Sequence, residues 1–206
     1  MKKFILVIAA LTFSLTAFSQ GFEIGIKGGV NITAAGAVKD LVPGVDIASK
    51  NTYNGGVYGR LKIKLIGVYV QPELVYNTRG YNFNITANGI TYNIKQQAYY
   101  LDVPVLVGLK MFKFLRVYAG PNFQYLLKNE ITGIDNIVTF QKNDMKKANT
   151  GVQLGLGLDL SKFRVDVKYD FNPTDMGSPF SYQGKEQLIK TSMVTIQLGY
   201  KLFGIL

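Results

Sequence analysis

Phe163-Arg164-Val165-Asp166-Val167-Lys168-Tyr169-Asp170-Phe171 carries an apolar or aromatic residue at every odd position and a charge at every even one. Side chains of a strand alternate between two faces, so the stretch is a strand with one apolar and one charged side. A helix would scatter the same residues around its circumference. Immediately upstream, Val152, Leu154, Leu156, Leu158 and Leu160 alternate with Gly151, Gln153, Gly155, Gly157 and Asp159. Only Ser161-Lys162 separates the two segments, the length of a tight hairpin turn.

Working outward, the same two-faced period recurs. Phe22, Ile24, Ile26 and Val30 oppose Glu23, Lys27 and Asn31, and Val57, Leu61, Ile63 and Leu65 oppose Tyr58, Arg60, Lys62 and Lys64. Val68, Val70, Pro72, Leu74 and Tyr76 oppose Gln71, Glu73 and Asn77. Tyr99, Leu101, Val103, Val105, Val107 and Leu109 oppose Asp102 and Lys110. Leu115, Val117, Ala119, Phe123 and Tyr125 oppose Arg116, Asn122 and Gln124. Finally Val194, Ile196, Leu198, Tyr200 and Leu202 oppose Thr195, Gln197 and Lys201. These segments predict an all-β chain of eight antiparallel strands.

The connections alternate in length. Ile66-Gly67, Met111 to Lys113 and Ser161-Lys162 are tight, whereas Ile32 to Thr52, Arg79 to Gln97, Lys128 to Asn149 and Pro173 to Gln187 are long and polar. Short turns at one end and long loops at the other are the build of an up-and-down transmembrane barrel with periplasmic turns and extracellular loops. Asn88-Gly89 is a hairpin-turn signal that extends the third and fourth strands above the membrane. A soluble, lipocalin-like barrel shares the period but turns its apolar face inward. The regular loop alternation, the two signs of charge on the polar face and the aromatics at strand ends favour the membrane barrel. Phe22, Phe163 and Tyr200 would mark the inner rim, and Tyr53, Tyr76, Tyr99, Tyr125 and Phe171 the outer one.

Met1-Lys2-Lys3, the apolar run Phe4 to Thr16 and Ala17-Phe18-Ser19 read as a cleavable export signal over residues 1–19. The mature barrel domain is then 20–206, beginning at Gln20, and lies in the outer membrane. Loss of Lys2 and Lys3 takes the formal charge from +10 to +8. Export and the scatter of the cations argue against nucleic acid. Outer-membrane lipid is the expected environment. Arg79, Lys142, Lys146 and Lys147 fall in expected outer loops, where they meet solvent or, less readily, anionic lipopolysaccharide. An envelope protein bound through the long loops is a further expected partner.

Several stretches resemble the outer-membrane β-barrel family called PorT-like, common in Bacteroidetes. Gly25-Ile26-Lys27-Gly28-Gly29-Val30-Asn31 resembles its first strand and Val70-Gln71-Pro72-Glu73-Leu74-Val75-Tyr76 its third. Tyr100-Leu101-Asp102-Val103-Pro104 resembles its fourth, Ala119-Gly120-Pro121 its fifth and Leu198-Gly199-Tyr200-Lys201 its last. Asp102 stands where glutamate is more usual, and Gly204-Ile205-Leu206 runs past the usual aromatic end. The resemblance implies a fold. The family's namesake serves a secretion system, and that role does not come with the fold.

The chain has no histidine and no cysteine, which removes Ser-His-Asp and thiolate catalysis, histidine metal sites and disulfides. No enzyme activity and no cofactor are expected. The lumen face would carry Glu23, Lys27, Arg60, Lys62, Glu73, Asp102, Arg116, Arg164, Asp166, Lys168 and Asp170. Asp166 and Asp170 could be read as an acid–base pair. A salt-bridge network filling a narrow barrel accounts better for both signs of charge. Gly151, Gly155 and Gly157 serve packing and curvature in that barrel. The expected role is structural or interactive, with a secretion-accessory role, a small-solute channel or a soluble binder as alternatives.

Overall fold

In a computed structural model the structure describes residues 21–34, 45–49, 51–63, 67–87, 90–132, 147–171, 180–182, 185–187 and 192–205. The leader over 1–19, the Asn88-Gly89 turn, Lys142 and Lys146 lie outside these residues. The alternating segments form β1 (Phe22–Ala34), β3 (Asn51–Ile63), β4 (Val68–Ala87), β5 (Ile90–Met111), β6 (Leu115–Thr132), β7 (Ala148–Leu160), β8 (Phe163–Phe171) and β11 (Ser192–Ile205). Each pairs antiparallel with its neighbours in the chain, β4 pairs with β5, and β1 pairs with β11 from Phe22↔Ile205 to Ala34↔Ser192. That last pairing closes the sheet, so the eight strands make a barrel with no open edge within it. The remaining pieces lie within expected loops. They are β2 (Val45–Ser49), added to the upper part of β4, and the small hairpin of β9 (Phe180–Tyr182) and β10 (Lys185–Gln187).

The turns at one end are short. Leu160 pairs with Phe163 across Ser161-Lys162, and Ser161 takes φ +58°. Met111 pairs with Leu115 across a three-residue turn in which Phe112 and Lys113 take φ +49° and +64°. At the other end β4 and β5 keep pairing to Ala87↔Ile90. The expected connection Arg79 to Gln97 is therefore two strands in register, and β6 likewise runs to Thr132.

Polarity is inverted relative to a soluble core. Among the described residues, eight hydrophobic side chains are buried against twenty-four polar or charged ones, while Ile26, Val107, Leu154, Leu156, Val167 and Leu198 lie exposed outside. Burying apolar surface from water cannot hold such a barrel shut; lipid must cover its outside. Phe163 and Tyr200 meet edge to face at 5.4 Å at the short-turn end, and Tyr76 and Tyr99 lie 6.2 Å apart at the other. These contacts fall where the two aromatic girdles are expected.

Candidate functional site

Of the eleven lumen charges expected from the period, ten (Glu23, Lys27, Arg60, Glu73, Asp102, Arg116, Arg164, Asp166, Lys168 and Asp170) are buried inside the barrel, and Lys62 is half-buried beside Glu23. Arg79 and Asp159 join the ten. The fully interior set is then six acids and six bases, a neutral balance that a lipid-walled space requires.

Room for these long side chains comes from cross-strand glycines. Tyr58 lies against Gly25, Tyr69 against Gly108 and Tyr118 against Gly155, each pair directly opposite in register. A methyl group at any of the three glycines would collide with the tyrosine ring. Arg116 is likewise opposite Gly157, where an added methyl would meet its guanidinium and Asp166. The glycines of β7 thus give way to inward side chains of β6, which specifies the packing role expected of them. The rings in turn carry the cations. The Arg60 guanidinium sits 5.5 Å from the Tyr58 ring and 4.9 Å from Tyr69, and Arg79 sits 4.4 Å from Tyr100.

Near the short turns the charges interlock. Glu23 Oε1 accepts from Arg164 Nη2 at 2.9 Å and from the Tyr58 hydroxyl at 2.9 Å, and its other oxygen takes Lys62 Nζ at 3.0 Å. Asp159 holds four bases: Arg116 Nε at 2.6 Å, Arg164 Nε at 3.0 Å, Arg60 Nη1 at 3.4 Å and Lys110 Nζ at 2.9 Å. Arg116 Nη2 also donates to Asp166 at 2.9 Å, where the Tyr118 hydroxyl donates at 2.8 Å. One layer up, Glu73 is shared by Lys27 and by Lys168 at 2.8 Å, and takes the Gln71 amide at 2.6 Å. Gln71 in turn accepts from Arg60 Nε at 2.6 Å.

The upper lumen is built of amides. Asn31 donates to Asn77 at 2.7 Å, Asn54 to Asn31 at 2.7 Å and Gln197 to Asn54 at 2.6 Å. Two carboxylates stand here, Asp102 and Asp170. Asp166 and Asp170 consequently have different partners in different layers, and the structure does not bring them together as an acid–base pair.

Arg79 corrects one expectation. It is buried at 2% exposure inside the lumen, donating to Asp102 at 3.0 Å and to Gln124 at 2.8 Å, and is not an outer-loop cation. Its parity with Gln71, Glu73 and Asn77 was the available signal, and β4 continues through it. Asp159 was legible the same way, sharing the face of Gly155 and Gly157. Lys147 is exposed beside β7, as a loop residue should be. Outside the membrane span, Lys128 bridges Glu130 at 2.5 Å and the Tyr99 hydroxyl reaches it at 3.1 Å. Lys128 first, then Tyr99, holds the Glu130 carboxyl below its ordinary range.

Chemically the lumen is a ladder of paired charges, and its guanidiniums and carboxylates are committed to one another. The outer membrane protein beta-barrel domain family matches residues 18–176. Among solved structures, OprG of Pseudomonas aeruginosa aligns at TM-score 0.50 and 14% identity over 88% of this chain and 95% of its own. Ail of Yersinia pestis, solved with the heparin analogue sucrose octasulfate, aligns at TM-score 0.44 and 13% identity over 88% and 99%. Neisserial surface protein A aligns at 0.44 and 9% over 88% and 97%. Likeness at these identities is likeness of fold. No curated protein matches the sequence.

Proposed function

This chain belongs to the outer membrane protein beta-barrel domain family, and from that premise we propose that its barrel is a closed, non-catalytic anchor presenting an extracellular sheet to a macromolecular partner. The observation that carries the reading is the contrast between strand lengths. Nine residues suffice for β8, near the nine to eleven a tilted spanning strand needs, yet β4 and β5 run 20 and 22. From Thr78↔Tyr99 to Ala87↔Ile90 the pair stays in register, which at about 3.4 Å per residue carries the hairpin roughly 30 Å beyond the aromatic rim. β2 widens it on one side and the end of β6 on the other.

An extension of that size exceeds what closing the barrel requires. Its sequence from Tyr81 to Ile94 is uncharged and rich in Tyr, Asn, Thr and Ile, a composition suited to adaptable contact with another surface. Among the described residues the lumen below is crossed by buried ion pairs, which speaks against a channel. The protein reaches the outer membrane through a leader cleaved before Gln20. The PorT-like strand motifs are read as shared architecture, without the namesake's task.

Excising Asn82 to Lys95 and joining Tyr81 to Gln96 by Asn-Gly keeps the register, because Tyr81 pairs with Gln96. The shortened protein should still migrate faster unboiled than boiled on a denaturing gel. It should lose any partner cross-linked to the full-length protein on intact cells. A partner retained after excision, or steady conductance in planar bilayers, would sink the reading.

A further inference from the structure

The fully buried lumen is electrically neutral by itself, six acids against six bases. Lys62 and Lys110 stand outside that balance. Each reaches a carboxylate at the short-turn mouth that an arginine already answers. Lys62 lies 3.0 Å from Glu23, which Arg164 meets at 2.9 Å, and Lys110 lies 2.9 Å from Asp159, which Arg116 meets at 2.6 Å. Their side chains are 26% and 32% exposed, so both open onto the mouth. An ammonium group has three donors, and one carboxylate contact leaves donors for a second anion.

Three more lysines ring the same end. Lys113 lies in the turn between β5 and β6, Lys162 in the turn between β7 and β8, and Lys201 near the end of β11. Among the described residues no carboxylate pairs with any of them. Their neighbours in the chain are apolar and exposed: Phe112 and Phe114 flank Lys113, Phe163 follows Lys162, and Leu202 follows Lys201. Aromatic side chains of this kind mark the membrane interface, and lysines beside them extend to the headgroups. Five positive charges at this rim therefore exceed what the lumen needs.

The mouth also has a shape. Lys62 and Lys110 line one cavity of about 170 Å³ with Ile63, Val68 and Tyr69, and its surface is almost wholly carbon. Ammonium groups over an apolar wall match an amphiphile, which brings an anion for the first and hydrocarbon for the second. A free phosphate or an acidic cell-wall polymer would leave the wall uncovered. The short turns of an outer-membrane barrel face the periplasm, so the amphiphile belongs to the leaflet on that side.

We propose that the short-turn end docks anionic glycerophospholipid, its phosphate held by Lys62 and Lys110 at the mouth cavity, with Lys113, Lys162 and Lys201 binding further headgroups around the rim. A cluster of four to eight cations at a membrane surface is the composition that selects anionic lipid.

The test is lipid retention by the purified full-length protein, released from detergent micelles in a native mass spectrometer. The wild type should retain phosphatidylglycerol about fivefold more than phosphatidylethanolamine of the same chains, the effect of one lysine at an anionic headgroup. The preference should shrink as ammonium acetate rises toward about 1 M, where screening acts within a few ångströms. The variant K62Q/K110Q/K113Q/K162Q/K201Q keeps the neutral interior, so it should stay heat-modifiable and hold the two lipids about equally. No preference in the wild type, or one undiminished in the variant, would overturn the surface. A wild type that shows no lipid preference and instead sediments with isolated peptidoglycan would assign these lysines to the cell wall. Should the five-lysine variant fail to fold, K113Q/K162Q decides, because both lysines are exposed on turns. A fall in preference of about twofold or more supports the lipid surface, and a smaller one removes it.

Discussion

The lumen near the short turns and the lumen near the long strands solve one problem in different ways. Both must fill a narrow tube with polar groups that lipid forbids on the outside. Near the turns, Glu23, Asp159 and Asp166 are cross-linked by Arg60, Arg116 and Arg164, and Asp159 alone meets four bases. Near the long strands, asparagine, glutamine and threonine side chains pass hydrogen bonds around the wall, with two carboxylates and one guanidinium among them. An amide carries donor and acceptor together and can be satisfied by any neighbour, whereas a buried guanidinium only donates and its charge is answered only by carboxylates. The first region should thus be brittle to single substitutions and the second forgiving.

The largest break in that contrast is expected at Arg116. Its removal takes from buried Asp166 its ion-pair partner, leaving the Tyr118 hydroxyl, and takes from Asp159 one of its four bases. Arg116→Ala should cost about 3–5 kcal/mol, measured by urea titration of the barrel folded in lipid vesicles. Asn54→Ala in the amide region should cost about 1–3 kcal/mol, one donor and one acceptor being left to rearrange. Equal costs would mean that the two regions are not different in kind.

Next in size is the difference between inside and outside. Leu156 is 55% exposed on the lipid face, and Gln153 points into the lumen toward Asp170. Leu156→Arg should cost about 2–4 kcal/mol near mid-membrane. Gln153→Arg should cost less, because its charge stays inside the lumen beside the Asp170 carboxylate. The reverse order would turn the barrel inside out.

Much of this was legible in residue order because period two is a geometric property of strands. Every strand that the period marked is present, and its polar parity is the lumen parity from Glu23 to Gln197. What escaped notice escaped for two physical reasons. Above the membrane the apolar residues change parity: Leu74 and Tyr76 are even, whereas Tyr81, Phe83 and Ile85 are odd. A pattern tuned to a lipid-facing side therefore stops at Asn77, although β4 continues for ten residues more, and Arg79 was misassigned with it. Inside, Tyr58, Tyr69 and Tyr118 fill lumen positions, because each finds a glycine on the neighbouring strand. That pairing is visible only once the register is known.

The smallest effect concerns the short turns, where the brittle region begins. Lys113 takes φ +64° with an exposed side chain, and it stands in the turn two residues before Leu115, where the strand that carries Arg116 begins. A residue with a Cβ is strained in this left-handed region, and glycine is not. Lys113→Gly should therefore stabilise the barrel by about 0.5–1 kcal/mol, the relief exceeding the extra freedom glycine has when unfolded. If the turn only links β5 to β6, the gain appears in Arg116→Ala as fully as in the wild type. If the turn also aims Arg116 at Asp159, the gain shrinks once Arg116 is gone, and a double-mutant cycle reads the difference directly. The turn residue and Arg116 are three residues apart in the chain, so coupling above about 0.5 kcal/mol is expected. Strict additivity would show that the ion-pair cluster takes its geometry from the glycine-backed strands alone and owes nothing to the turn.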